Sequence, residues 1–232
     1  MTLIDIFLLW KFFALAFSAL IPLVNPLGTS LLIVGFVGPV PLKLYRSLAR
    51  RIAINVVIFF AVIELVGSAI LNFFGISLPI VQVSGGLVIA AMGWSLLNQK
   101  TTDPAASEDQ KVEVAQDADN IATSLMEKSF YPFTFPLTAG PGCIVVMLTL
   151  TAQATQDSIT HTLIAHAGII LACIATSVLV FLFYANAPRI TKAVAPSTAH
   201  GILRVIAFFL FCIGVQITWT GLSALITPFL HH

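Results

Sequence analysis

The sequence predicts an all-α polytopic membrane protein with six spans, built as two inverted three-helix repeats whose first spans are each broken near mid-membrane. The first observation is composition: 58% of residues are hydrophobic and 9% are charged, against roughly 25% charged in soluble domains. The second is a polar stretch that divides the apolar runs three and three. The third is a pair of similar Pro- and Gly-containing interruptions, one in each half. Such a chain cannot cover itself with polar surface, so we expect the lipid bilayer as its surroundings and no nucleic-acid partner.

Six apolar runs set the predicted spans, since one crossing takes about 20 helical residues. They are residues 3–40, 52–73, 78–98, 132–156, 162–187 and 204–230. We divide the chain accordingly into a first three-span repeat (1–98), an acidic linker (99–131) and a second three-span repeat (132–232). Because each half has an odd number of spans, the second half enters from the opposite side, as an inverted repeat requires.

The basic residues predict the orientation. The loops 41–51, 99–131 and 188–203, taken with Arg204 at the edge of the last, hold every Lys and Arg except Lys11. Positive loops stay on the cytoplasmic side. We therefore place these three loops in the cytoplasm and both termini in the periplasm of a bacterial inner membrane.

The predicted linker is strongly acidic between residues 99 and 129. Its acids are Asp103, Glu108, Asp109, Glu113, Asp117, Asp119 and Glu127. We interpret it as a flexible connection between the two halves, with a regulatory or partner-binding loop as the alternative. Acidic residues carry little weight in the orientation rule, so they leave the predicted topology unchanged.

The two interruptions read "PLVNPLG" at residues 22–28 and "PLTAGPG" at residues 136–142. Asn is a strong helix N-cap, and Pro suits the first helical position because its missing N–H would be unpaired there. We therefore predict helices that start at Asn25-Pro26 and run towards Val40, and at Gly140-Pro141 and run towards Ala154. In an inverted repeat these two N-termini face each other, and their free N–H groups and positive dipole ends suit a carboxylate.

Small residues recur along one face of the third span in each half. Gly86, Ala90 and Gly93 share one helix face, and Gly214, Thr218 and Gly221 repeat the same spacing. Small faces let helix backbones approach closely in lipid. We interpret both as packing surfaces rather than ligand sites.

Four stretches of the chain resemble the MarC family of bacterial inner-membrane proteins, also called UPF0056. They are "LIPLVNPLGTSLL", "FGISLPIVQVSGGLVIAAMG", "FPLTAGPGCI" and "GILRVIAFFLFCIGVQ". The resemblance covers the chain except for the acidic linker. It implies six spans and transport of small neutral amino acids such as alanine or glycine. It also implies a substrate-binding role for the motif residues Asn25, Pro26, Gly28, Thr29, Gly140, Pro141 and Gly142, and makes Gln216 a further candidate contact.

Glu64 is the acid that lies deepest inside a predicted span. An ionisable residue at that depth is a candidate functional site, which makes Glu64 a candidate for proton coupling. The alternative is a protonated carboxyl group that bonds to a neighbouring helix. His166, near the outer end of the fifth span, is interpreted as an interfacial residue.

These observations together predict a secondary transporter that exports small neutral amino acids by alternating access, with the zwitterionic substrate bound between the two helix N-termini. No Walker-type Gly-Lys-Ser/Thr sequence occurs, so we do not expect ATP to be the chain's own energy source. Coupling to a proton or a sodium ion is left open. We expect no enzymatic activity, cofactor or metal site, and leave homo-oligomer formation open. The alternative is a small-solute or water channel built on paired half-helices.

Overall fold

The protein is described here from a computed structural model, which covers residues 3–98, 118–156, 158–193 and 196–230. All regular structure in these ranges is helical, which confirms the predicted all-α class. The elements are α1 (Leu3–Val24), α2 (Pro26–Val37), α3 (Leu42–Phe73), α4 (Leu78–Asn98), α5 (Ala118–Glu127), a wide-turn segment (Ser129–Thr138), α6 (Pro141–Gln153), α7 (Ile159–Ala185), α8 (Ala187–Ala193) and α9 (Pro196–Leu230).

Five helical stretches of the described chain are long and apolar enough to cross a membrane. The wide-turn segment and α6 together make a sixth candidate, although the two are bent by 69° relative to each other. The predicted number of six spans is the larger of these two counts. The first candidate includes both α1 and α2, over 35 residues.

Two predicted cytoplasmic loops are largely helical, which corrects the sequence-based bounds. Helix α3 begins at Leu42 rather than near residue 52, and α9 begins at Pro196 rather than near residue 204. Helix α8 lies within the predicted loop 188–203. The apolar run marks where a helix can enter lipid, whereas Lys and Arg are themselves good helix formers and let the helix continue into water.

The structure describes only the last part of the predicted linker, since residues 99–117 lie outside the described ranges. Its last part differs from the expected flexible connection. Helix α5 occupies Ala118–Glu127 and packs against α3 and the wide-turn segment. Leu125 is 2% exposed, so burial of this side chain holds α5 against the bundle.

Helices α4 and α9 form the most extensive contact between any two described elements. A Cβ at Gly214 would lie 2.7 Å from the carbonyl oxygen of Gly86, and a Cβ at Gly93 would lie 2.5 Å from the backbone N of Phe211. The two backbones therefore touch, and only glycine allows this approach. The interpretation of these small-residue faces as packing surfaces is confirmed.

Helix α7 lies at the centre of the remaining helices. It packs against α1 and α3 along its length and against α2 near its end. Its inward residues are mostly small, such as Ala165, Ala172 and Cys173, which are all buried. Helix α6 contacts both α3 and α4. These helix contacts therefore hold both breaks, the one before α2 and the one before α6, close to α7.

Candidate functional site

The first break in the chain is built around Asn25. This residue adopts the left-handed conformation (φ 44°, ψ 62°), and its side-chain oxygen accepts a hydrogen bond from the N–H of Gly28 at 3.0 Å. Asn tolerates this conformation better than most residues because its side chain can bond locally. Pro26 follows at the first helical position. The predicted cap and helix start are therefore confirmed.

Thr29 replaces a hydrogen bond that this break removes. In an unbroken helix the N–H of Gly28 would donate to the Val24 carbonyl, but here it donates to Asn25. The Thr29 hydroxyl lies 2.8 Å from the Val24 carbonyl oxygen and 2.7 Å from that of Asn25. Because Thr29 is 4% exposed, an unpaired carbonyl at this depth would be costly.

The second break is built differently, from prolines that precede it. Tyr131 and Phe135 each stand before a proline and have extended backbone angles (φ −116°, ψ 125° and φ −119°, ψ 129°). A residue before proline is displaced from the helical region by steric contact with the ring. Gly140 is also extended (φ −77°, ψ 179°), and Pro141 then starts α6. The predicted start of α6 is confirmed, and the helix ends at Gln153.

Tyr184, near the end of α7, joins the two breaks. Its hydroxyl is 2.8 Å from the hydroxyl of Thr138, which precedes the second break, and its side chain lies near that of Thr29, which follows the first. All three residues are buried. We call this cluster, formed by Asn25, Thr29, Thr138, Gly140 and Tyr184, the junction.

Helix α6 reaches the junction through its first turn. A Cβ on Gly142 would lie 3.0 Å from Cδ2 of Leu23, a residue of the last turn of α1. Cys143, the next residue, interacts electrostatically with Tyr184. The first turn of α6 therefore lies beside the last turn of α1, which leads into α2. That the N-termini of α2 and α6 face each other stays a prediction.

The position of the first break along its span differs from the expectation. Helix α1 alone has 22 residues, or about 33 Å, which is enough to cross a hydrocarbon core of about 30 Å. Helix α6, with 13 residues, reaches only about 20 Å. The first break therefore follows a full-length helix, whereas α6 is a half-length helix of the kind expected.

Most of the predicted binding residues lie at or beside the junction. Pro26, Gly28, Thr29 and Gly142 are buried there, Asn25 and Gly140 are partly exposed, and Pro141 is exposed. Gln216 is not brought to the junction. Gly214 and Thr218 face α4, and Gln216 is two residues from each, so it projects from the opposite side of α9, about 200° away.

The arrangement offers several hydrogen-bond donors to an anionic group. Three hydroxyl groups meet where two helix N-termini lie side by side. Gly140 has no side chain with which to cap α6. Helix N-termini favour negative charge through their N–H groups and dipole. A carboxylate is therefore the group that this junction suits best.

Glu64 forms a second polar cluster, between α3, α6 and α7. It is 5% exposed, accepts a hydrogen bond from the Thr151 hydroxyl through Oε2, and lies 2.6 Å from Nδ1 of His166 through Oε1. The interpretation of His166 as an interfacial residue is therefore incomplete, because its ring pairs with the buried acid. Glu64 does bond to neighbouring helices, as the alternative interpretation held.

Two buried hydroxyls on α7 lie between these clusters in the sequence. Within the described part of the chain, Thr176 Oγ1 and Ser177 Oγ have no hydrogen-bond partner, and both residues are at most 2% exposed. They share the inward side of α7 with Cys173 and Tyr184, at helical spacings of three, four and seven or eight residues.

The sequence analysis missed Tyr184, Thr138, Thr151 and His166 as parts of these clusters. The Glu64 contacts join residues 87 and 102 positions apart, and the Tyr184–Thr138 contact joins residues 46 positions apart. The signal in the sequence was a polar residue in an apolar helix. This signal does not identify the partner residue, because several arrangements of the helices would bury such a residue.

Comparison with known proteins identifies relatives along nearly the whole chain. The model of the MarC family integral membrane proteins matches residues 10–226. The UPF0056 inner membrane protein MarC of Escherichia coli K12 is 26% identical over 224 residues, covering 95% of this chain and 98% of its own. The proteins of the same name from Escherichia coli SMS-3-5 and Shigella flexneri are 27% and 26% identical over the same shares. No solved structure matches the chain.

Proposed function

The chain belongs to the MarC family of integral membrane proteins, and from this premise we propose that it is a secondary transporter of the bacterial inner membrane that exports small neutral amino acids such as alanine or glycine. The observation that carries the proposal is the junction, where two helix N-termini and three buried hydroxyls meet. The substrate carboxylate binds there, between Asn25–Thr29 and Gly140–Gly142.

The chemistry of the junction favours a small zwitterion over a larger solute. Carboxylates are stabilised by helix N-termini and by hydroxyl donors. The hydroxyl groups of Thr29 and Thr138 donate to backbone carbonyl oxygens in this structure, so a bound carboxylate would replace these carbonyls as the acceptor. A side chain on Gly142 would already meet Leu23 and Ile89, with a Cβ 2.8 Å from Ile89 Cγ1. Gly142 is therefore closely packed, and we propose that the space beside it admits only a short substrate side chain.

Helix partnerships support the inverted repeat on which alternating access depends. A two-fold axis that exchanges α3 with α7 and α4 with α9 leaves the α3–α7 and α4–α9 contacts in place. The same axis carries α1 and α2 onto the wide-turn segment and α6. Both α1 and α2 contact α7, and both the wide-turn segment and α6 contact α3, which is the pattern such an axis requires.

The transporter draws on a proton or sodium gradient, with both termini in the periplasm and loops 41–51, 99–131 and 188–203 in the cytoplasm. The basic residues of α3 support this orientation, since Arg46, Arg50 and Arg51 are all exposed at the start of that helix. Exposed arginines near a helix end are typical of the cytoplasmic side.

Counterflow tests this function directly. Purified protein is reconstituted into liposomes loaded with unlabelled L-alanine, and uptake of labelled L-alanine is followed with glycine and larger L-amino acids as competitors. We expect saturable uptake that L-alanine and glycine block and D-alanine does not. Uptake that never saturates would favour a channel, and uptake equal to that of empty liposomes would contradict the proposal.

A further inference from the structure

We propose that Glu64, His166 and Thr151 form a proton-binding site that couples substrate movement to the proton gradient, an inference that rests on the proposed transport function. The three side chains come from three different helices, α3, α7 and α6. Both carboxylate oxygens of Glu64 are engaged, one by the His166 ring and the other by the Thr151 hydroxyl. Each of these partners can exchange or share a proton with the acid.

The side chains of His166 and Glu64 differ in their exposure to water, which suggests the direction in which a proton enters the site. The His166 side chain is 29% exposed, whereas that of Glu64 is 2% exposed. The partly exposed His166 ring therefore connects the buried carboxylate to water. In the predicted orientation His166 lies towards the periplasm, so the proton reaches buried Glu64 from that side.

The proton step balances without any further reactant. A proton from water binds Nε2 of a neutral imidazole whose Nδ1–H already donates to Glu64 Oε1. Nδ1–H then transfers its proton to the carboxylate, which leaves a neutral imidazole protonated on Nε2 and a neutral carboxyl group. The pair has gained one proton, and its net charge has changed from −1 to 0.

Thr151 can satisfy both protonation states of the acid. Its hydroxyl contacts two acceptors, Glu64 Oε2 and the Met147 carbonyl oxygen at 2.8 Å, but a hydroxyl has one proton to donate. With Glu64 ionised, that proton goes to the carboxylate. With Glu64 protonated on Oε1 by His166, Oε2 is the carbonyl oxygen of a neutral acid and a weaker acceptor than a carboxylate oxygen, so the Thr151 proton turns to the Met147 carbonyl oxygen. A protonation change therefore alters a hydrogen bond inside α6, the helix whose N-terminus forms part of the junction.

Other titratable groups nearby have separate positions. Cys173 of α7 interacts electrostatically with Glu64, and its sulfur lies 3.7 Å from that of Met147. His161 of α7 lies 3.7 Å from Asp5 of α1 and is 42% exposed. His161 therefore provides a matched control, since it is a histidine of the same helix that pairs with a different acid.

The test compares exchange with gradient-driven accumulation in the same proteoliposomes. Counterflow of labelled alanine at equal pH needs no coupling, whereas accumulation under an imposed pH gradient does. We expect Glu64→Gln to retain counterflow and to lose both accumulation and the alanine-induced pH change reported by an internal dye. Gln preserves the hydrogen-bonding shape of a protonated acid. His166→Asn should lose accumulation as well, and His161→Asn should behave as the unaltered protein.

Each other outcome has a definite meaning. No counterflow by the unaltered protein would overturn the transport function and this inference with it. Counterflow without any response to a pH gradient would overturn the inference alone, whether or not the variants fold. Parallel loss of exchange and accumulation in Glu64→Gln, or normal pH-driven accumulation in it, would also overturn the inference, since the first indicates a structural role and the second no role.

Discussion

The two chain breaks have similar sequences and different structures. At the first, Asn25 caps α2 with its own side chain, and the backbone bonds Asn25 N–Ile21 O (2.8 Å) and Thr29 N–Asn25 O (2.9 Å) carry the helical ladder across. At the second, Gly140 has no capping side chain, and the chain turns by 69° between the wide-turn segment and α6. The helix N-terminus at a break can thus be capped by a neighbouring side chain, as at Asn25, or be left uncapped, as at Gly140.

The difference between the breaks comes from the residues before each cap. Pro132 and Pro136 make Tyr131 and Phe135 extended, so the turns before α6 widen and cannot be continued into it. Before the first break, α1 includes Pro22 and still remains regular to Val24. We infer that the second break gives the junction a helix N-terminus without a side-chain cap, whereas the capped first break forms a rigid side of the junction.

The largest effect is expected from filling the second break. Gly142→Leu places a side chain against Leu23 and Ile89, and overpacking by several carbon atoms should cost about 3 kcal/mol or more and abolish alanine counterflow. Gly35→Leu is the matched control, because a Cβ at Gly35 meets nothing within 4 Å. Normal counterflow by Gly142→Leu would show that the second break is not part of the substrate site.

A smaller effect is expected at the first break, and it separates two roles of Asn25. Asn25→Ala loses the cap, worth about 1 kcal/mol, and places Ala in a left-handed conformation that costs about 1–2 kcal/mol. Asn25→Gly accepts that conformation and should recover most of the melting temperature measured in detergent. If the glycine variant is stable and transports alanine normally, the Asn25 side chain does not contact substrate.

The smallest effect is expected from the link between the breaks. Tyr184→Phe removes one hydroxyl and leaves Thr138 with one partner fewer, which should cost about 1–2 kcal/mol of stability. Thr29→Val and Thr138→Val should each give less than additive losses when combined with Tyr184→Phe. Additive melting-temperature changes in both double variants would show that Tyr184 does not join the two breaks.

Sequence reasoning reached the parts of this molecule that follow from local rules. Asn25-Pro26 and Gly140-Pro141 start helices because capping depends on two or three adjacent residues. The packing of Gly86 and Gly214 was also predictable, since small residues at helical spacing mark close contacts in lipid. The extended residues before Pro132 follow from a local rule too, although the bend that they produce does not.

The remainder depends on register between distant helices. Whether Tyr184 meets Thr138, or His166 meets Glu64, is decided by how far α7 slides along α3 and α6, and composition carries no measure of that offset. The break at Asn25 was placed at mid-span because the apolar run of 38 residues was taken as one unit. The structure shows that α1 is a regular helix of 22 residues, long enough to cross the hydrocarbon core without α2.

The contact between α4 and α9 constrains how the molecule can move. These helices belong to opposite halves of the sequence, yet their backbones interlock at Gly86 and Gly214 without intervening side chains. Two helices packed in this way move together, because separating them would leave an unfilled space between their backbones. A motion that swung one half of the chain against the other would have to break this pair. In the proposed transporter, α4 and α9 would therefore move as one unit, and the short helix α6, which contacts both α4 and α3, would lie at the edge of that unit.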